Sequence, residues 1–153
     1  MLALATWLGA LVFFPITAAT AFSVLPTPHL AGMVVRNSLR ALHSLGLLAG
    51  SIFLASSLFY DRALDGRFRW LRGTHAGVLL MLSLTAVSQF WIIPHMDALR
   101  ASAGEMAWLQ PTNPVRLEFD RLHARSVDVE GATLAVGLIV LYLTSRRFAS
   151  PSS

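Results

Sequence analysis

The sequence predicts an all-α fold, an integral membrane bundle of four helices, and three observations carry that expectation. Of the 153 residues, 55% are hydrophobic and 13% are charged, whereas a soluble domain carries about 25% charged residues. Several apolar runs approach the roughly 20 residues needed to cross a hydrocarbon core about 30 Å thick. Finally, the polar run 119–130 (FDRLHARSVDVE) passes without a breaker into the uncharged run 131–144. A helix over 131–144 covers only about 21 Å, so it must borrow length from its polar side. Glu130, and with it Asp128, is thereby drawn to or below the membrane boundary. Ionisable groups there are costly and usually face a bundle interior or a wet cavity, which makes them functional candidates.

The length suits a single transmembrane domain, residues 1–153, with spans near 2–25, 42–60, 74–93 and 126–144. All basic residues are arginine, and the net charge is +4. No basic block has the length or spacing of a nucleic-acid reader, so the charge reads as topology and acidic-lipid contact, with no nucleic-acid partner. With no cysteine in the chain, disulfides, zinc–thiolate sites and thiol chemistry are excluded.

Residues 1–25 form the first apolar stretch. Pro15 near its middle removes one backbone hydrogen bond and kinks the helix, which a bundle tolerates. A cleaved signal peptide is the rival reading, since Ala19-Thr20-Ala21 has the small residues of a cleavage site. Only the amino terminus, and no basic residue, precedes the run, which favours a retained span. Pro26-Thr27-Pro28 is a turn. Residues 30–60 read as one long helix in which Arg36, Arg40 and His43 fall at i, i+4 and i+7 on one face. That face continues to Gly50, which forms a small-xxx-small pair with Gly46 and lets another helix approach. The basic stripe is therefore expected to face a neighbouring helix.

Residues 61–73 read as a short polar loop with Arg62, Arg67, Arg69 and Arg72, in which Asp61 and Asp65 lack a spaced partner set. Residues 74–93 form the third span, closed by Pro94. Residues 101–114 are an irregular connection with Trp108 as an interfacial anchor. Residues 115–144 form the fourth long helix, stopped by Arg146 and Arg147. The second and fourth helices should extend beyond the bilayer on the acidic side.

Four spans place both termini on one side, together with Arg62, Arg67, Arg69, Arg72, Arg146 and Arg147. The opposite side carries Arg36, Arg40, Arg100, Arg116, Arg121 and Arg125, interleaved with six acidic residues. Arginines in a short loop and a tail follow the positive-inside rule best. The expected location is a bacterial inner (plasma) membrane with both termini cytoplasmic.

Nearly all chemistry-capable residues fall at one membrane face. Phe119, His123, Ser126 and Glu130 form one stripe on the fourth helix, which Gly137 continues, so His123 and Glu130 should look into the bundle. His95 and Met96 follow Pro94, with Asp97 and Arg100 beyond. His123, Glu130, Ser126, His95, Arg36, Arg40 and Arg100 are candidate ligand or relay groups; no catalytic residue is assigned. A structural ion pair of Glu130 with Arg36 or Arg40 accounts for the same charges at less cost. His123, His95, Met96 and Glu130 are candidate metal ligands, because copper accepts imidazole and thioether. His43, His95 and His123 raise axial haem ligation, which needs two facing histidines at matched depth. No phosphate loop, nucleophile elbow or zinc-protease helix motif is present, which argues against a hydrolase.

The order of features resembles the transmembrane protein 205-like family of small four-helix membrane proteins. The matching elements are Trp7-Leu8-Gly9, then Ser88-Gln89-Phe90 before Pro94-His95-Met96, Asp97 to Arg100, and Phe119, Leu122, His123 and Ser126. The resemblance implies the four-helix layout over nearly the whole chain. It also implies an amide four residues after that serine, where this chain has Glu130. A similar layout in bacterial copper-resistance D membrane proteins lends slight support to copper or haem; fold-level analogy does not establish function.

Three functional expectations follow. The first is copper handling or small-solute and ion transport through the polar cluster. The second is a structural or assembly subunit of a membrane complex, or a homo-oligomer, in which the cluster locks the bundle. The third is a haem-binding redox membrane protein.

Overall fold

The computed structural model describes residues 1–65, 73–104 and 106–149. All its regular elements are helical: α1 (Leu2–Val24), α2 (Pro28–Asp65), α3 (Gly73–Val87), a π-helical turn (Ser88–Ile92), α4 (Ile93–Ala103), a 3-10 turn (Met106–Trp108) and α5 (Pro114–Ala149). Four continuous helices are long and apolar enough to cross a membrane: Leu2–Val24, Pro28–Ala63, Gly73–Ala103 and Pro114–Arg146. The expected all-α membrane bundle is therefore the fold. Arg67, Arg69, Arg72 and Glu105 lie outside the described residues, as do the side chains of Asp65 and Arg147.

The bundle is held at one end by side chains seated on glycines. Trp7 of α1 is buried against α2 where Gly46 and Gly50 clear its face, and a Cβ on either glycine would collide with the indole. Gly77 of α3 receives Val140 of α5, and Gly137 of α5 receives Leu8 of α1 and Met81 of α3. The expected close approach at Gly46, Gly50 and Gly137 thus has named occupants. Leu4, Leu8, Leu11, Phe53, Val78 and Val140 complete an apolar core around Trp7. In a bilayer such packing replaces the hydrophobic effect as the force between helices. The outer faces are uncovered and apolar, with Phe13, Ile16, Leu138, Ile139 and Tyr142 all exposed. An exposed face made of such large apolar side chains suits lipid.

Two boundaries differ from the sequence reading. Residues 61–65, expected to open a polar loop, are helical, because α2 continues to Asp65. No Gly or Pro interrupts 61–65, and Asp61 is fully buried with its Oδ2 3.9 Å from His75 Nε2. The same His75 nitrogen lies 2.9 Å from Ser57 Oγ. Nor does the third helix close at Pro94; it runs through a π turn into α4. There the N–H of Ile93 bonds to Ser88 O, five residues back. The widened turn precedes Pro94, which has no N–H to return to the preceding turn, and the helix resumes with that proline in its first turn. The helix then ends at Gly104, whose φ of 72° suits glycine and whose N–H bonds to Arg100 O at 2.9 Å.

Candidate functional site

The polar residues gather at the other end of the same helices. The Arg36, Arg40 and His43 stripe of α2 faces the π turn, α4 and α5. Arg36 Nη1 donates to Asp97 Oδ1 at 2.9 Å, and Arg40 Nη2 donates to Asp97 Oδ2 at 2.5 Å. Arg100, one turn beyond Asp97 on α4, adds a longer contact at 3.5 Å to Oδ1. The Arg100 guanidinium also lies over the Phe119 ring, 4.7 Å from its centroid, a cation–π geometry. One carboxylate is therefore shared by three guanidiniums. Arg36 Nε is buried and has no hydrogen-bond partner among the described residues.

One turn deeper, His43 is almost wholly buried. Its Nε2 lies 2.5 Å from Glu130 Oε1 and its Nδ1 lies 3.1 Å from Gln89 Oε1. Ser88 Oγ donates to the same Glu130 oxygen at 3.4 Å. A protonated ring donates from both nitrogens; a neutral ring donates from Nε2 and needs the Gln89 amide turned to donate to Nδ1. The π turn supplies both Ser88 and Gln89, consecutive residues that reach one His–Glu pair. Such turns are frequent at functional sites.

The ion-pair partners therefore differ from those expected. Glu130 meets His43 rather than Arg36 or Arg40, and both arginines meet Asp97. His43 lies one turn further along the stripe, at the depth of Glu130, and its two-sided ring bridges the π turn and α5.

Two adjoining cavities flank this network. The first, of about 500 Å³, is walled by α1 residues such as Phe14, Pro15 and Ala18, with Val127 and Leu134 of α5. Arg36, Arg100, His123, Ser126 and Glu130 supply its polar groups. The second, of about 480 Å³, shares Phe22, Gly32, Arg36, Arg100 and His123 with the first and adds His29, Asp97 and Phe119. Both fall within the roughly 300–1,000 Å³ of small-molecule sites. Below them the Trp7 core closes the bundle.

Of the candidate residues, Arg36, Arg100, His123, Ser126, Glu130 and Met96 line the first cavity, and Arg40 acts through Asp97. His95 lies apart. It is exposed, its Nδ1 is 2.9 Å from Trp91 O, and its ring is 5.0 Å from the Trp91 ring. Met96 packs with Ile92 and Leu122 in a small apolar cluster. No group of three His, Cys, Asp or Glu suited to a metal ion occurs among the described residues. Of His43, His95 and His123, His123 lines both cavities, whereas His43 is turned to Gln89 and Glu130 and His95 to the Trp91 carbonyl. His43, Gln89 and Asp97 carry most of the network; their signals in the sequence are the stripe on α2 and the Ser88-Gln89 motif.

The fold and site define a small helical membrane-type protein with a polar cluster beside a largely apolar cavity. The family described as a domain of unknown function (DUF4149) matches residues 2–105, more than half of the chain, and the chain belongs to it. The matched stretch includes Arg36, Arg40, His43, Gln89, Asp97 and Arg100 but ends before α5. No curated protein and no solved structure matches the chain.

Proposed function

We propose that this protein is a membrane-embedded binding and transport component for a small anionic solute, taken up at the polar end of the bundle. The carrying observation is the charge imbalance: among the described residues, Arg36, Arg40 and Arg100 converge on Asp97 alone. Uncompensated guanidinium charge is expensive in a low-dielectric bundle. An anion in the adjoining cavity would offset it, and guanidiniums bind carboxylate and phosphate in bidentate fashion. The resemblance to the transmembrane protein 205-like family is compatible with this reading through its layout alone. One chain gives a one-sided site, since the Trp7 core blocks the other end. Transport therefore needs rearrangement of that core or several copies.

The test is thermal unfolding in detergent with inorganic phosphate, sulfate and acetate titrated at constant ionic strength. Wild type should be stabilised by at least one of them, and the Arg36→Gln/Arg100→Gln double variant should not. Equal insensitivity in both proteins would sink the proposal.

A second reading, a structural or assembly subunit, is favoured by the closed network of His43, Gln89, Ser88 and Glu130, which ties α2 to the π turn and α5. Under it, variants change stability and no anion shifts the transition.

The four helices that could cross a membrane are compatible with both termini in the cytoplasm, a placement that rests on the arginine distribution. The chain has no cysteine, so Thr112→Cys, in the connection between α4 and α5, should react with an impermeant maleimide from the external side. Labelling only after the membrane is breached would reverse the orientation.

A further inference from the structure

The first cavity has a shape that a free anion does not need. It lies between α1 and α5, which meet where Leu8 enters Gly137 and stand on opposite walls of the cavity beyond that point. Along α1 it runs from Leu11 to Phe22, about 16 Å of helix rise. Its surface is mostly apolar over that length; on the α5 wall Ser126 and Glu130 are the polar exceptions, and Glu130 Oε1 is turned to His43 and Ser88. At its rim Phe22 and Val127 are 56% and 59% exposed, so the slot opens sideways onto the surface that faces hydrocarbon. On the α5 wall, a Cβ at Gly131 would meet nothing within 4 Å. At the junction with the second cavity sit Arg36, with its unpartnered Nε, and Arg100. Apolar slot and cationic end are thus joined in one groove.

We propose that this groove holds one anionic membrane lipid, with its phosphate on Arg36 and Arg100 and one acyl chain in the slot between α1 and α5. The inference rests on the anion-binding reading and names its substrate class. A chain entering sideways exchanges lipid neighbours for protein walls without crossing water. The phosphate meets charge that Asp97 leaves uncompensated, and His123, which lines both cavities, stands beside the head group. A water-soluble anion would use the cationic end and leave the slot to other lipids.

The experiment is native mass spectrometry of the full chain released from nanodiscs of equal parts phosphatidylglycerol and phosphatidylcholine with identical chains, paired with the phosphate titration above. Wild type should retain phosphatidylglycerol about tenfold over phosphatidylcholine, the preference expected of a charge-assisted contact. Gly131→Leu fills the slot from a position with open space and exchanges a glycine for a better helix former. It should lose lipid retention while keeping its melting temperature and its stabilisation by phosphate. Ala18→Leu, from the opposite wall, provides the same test should the first variant fold poorly. Arg36→Gln/Arg100→Gln should lose both lipid and phosphate. Retention of phosphatidylglycerol unchanged in both slot variants, or equal retention of the two lipids by wild type, overturns the lipid inference and leaves the anion reading standing if phosphate still stabilises. Loss of any response to phosphate and to phosphatidylglycerol overturns both.

Discussion

The two ends of this bundle are built from the same helices by opposite means. Around Trp7 the helices touch through glycines, and the side chains seated on them form an apolar core. Around Asp97 and Glu130 the helices are tied by ion pairs and hydrogen bonds, and two cavities remain. Close packing has little tolerance for a guest, because a void forfeits dispersion contacts. Charged pairs hold helices together at longer reach, and they leave room between the backbones they join. The comparison assigns cohesion chiefly to the glycine end and binding capacity to the polar end.

The sharpest way to break that division is Trp7→Ala, which empties the groove over Gly46 and Gly50. Large-to-small changes of a buried aromatic cost about 3–5 kcal/mol, and folded protein in detergent should fall accordingly, as read by chemical unfolding. If Trp7→Ala costs less than variants at the polar end, cohesion does not reside where the packing suggests.

Glu130→Ala should come next, at about 2–4 kcal/mol, because it strands a buried His43. Glu130→Gln keeps an acceptor for Nε2 and should cost only about 1 kcal/mol. Equal losses in the two variants would show that charge, and not hydrogen bonding, fixes α2 to α5.

Asp97→Asn sharpens the comparison most. It removes the one carboxylate among three guanidiniums, and should destabilise the anion-free protein by about 1–2 kcal/mol, reduced from the buried-pair value because these groups are partly exposed. The same change should raise the affinity for inorganic phosphate in a thermal titration, since the internal competitor is gone. A purely structural cluster gives the first effect without the second.

The smallest effect is expected for His95→Ala, within about 0.5 kcal/mol as for a surface change. A larger loss, or any loss of lipid retention, would draw His95 back into the site.

Much of the site was legible because helical spacing is rigid. The 3.6-residue period alone put Arg36, Arg40 and His43 on one face, and Phe119, His123, Ser126 and Glu130 on another. Pairing between those faces was not legible. Asp97, not Glu130, takes the arginines, because the helix passes Pro94 through a π turn and carries α4 onward beside α2. The expectation that His95 and Met96 act together failed to anticipate their separation. Adjacent residues on a helix point about 100° apart, and here Met96 packs inward while His95 turns to the Trp91 carbonyl. The Ser57, Asp61 and His75 cluster is not legible for a related reason: the polar composition from residue 61 reads as a loop, whereas the helix carries Asp61 into the bundle.

By itself, the sequence determined that this chain is a four-helix membrane-type protein with one set of its polar groups aligned on helix faces. Composition and run length suffice for that, because the bilayer admits few backbone solutions and punishes scattered charge. Only the tertiary structure decided which charge meets which, that three guanidiniums share one carboxylate, and that a slot remains between α1 and α5. Those outcomes depend on the depth at which helices distant in sequence come into register; local pattern marks glycine seats such as Gly46 and Gly50 but does not name Trp7, Leu8 or Val140 as the side chains that fill them.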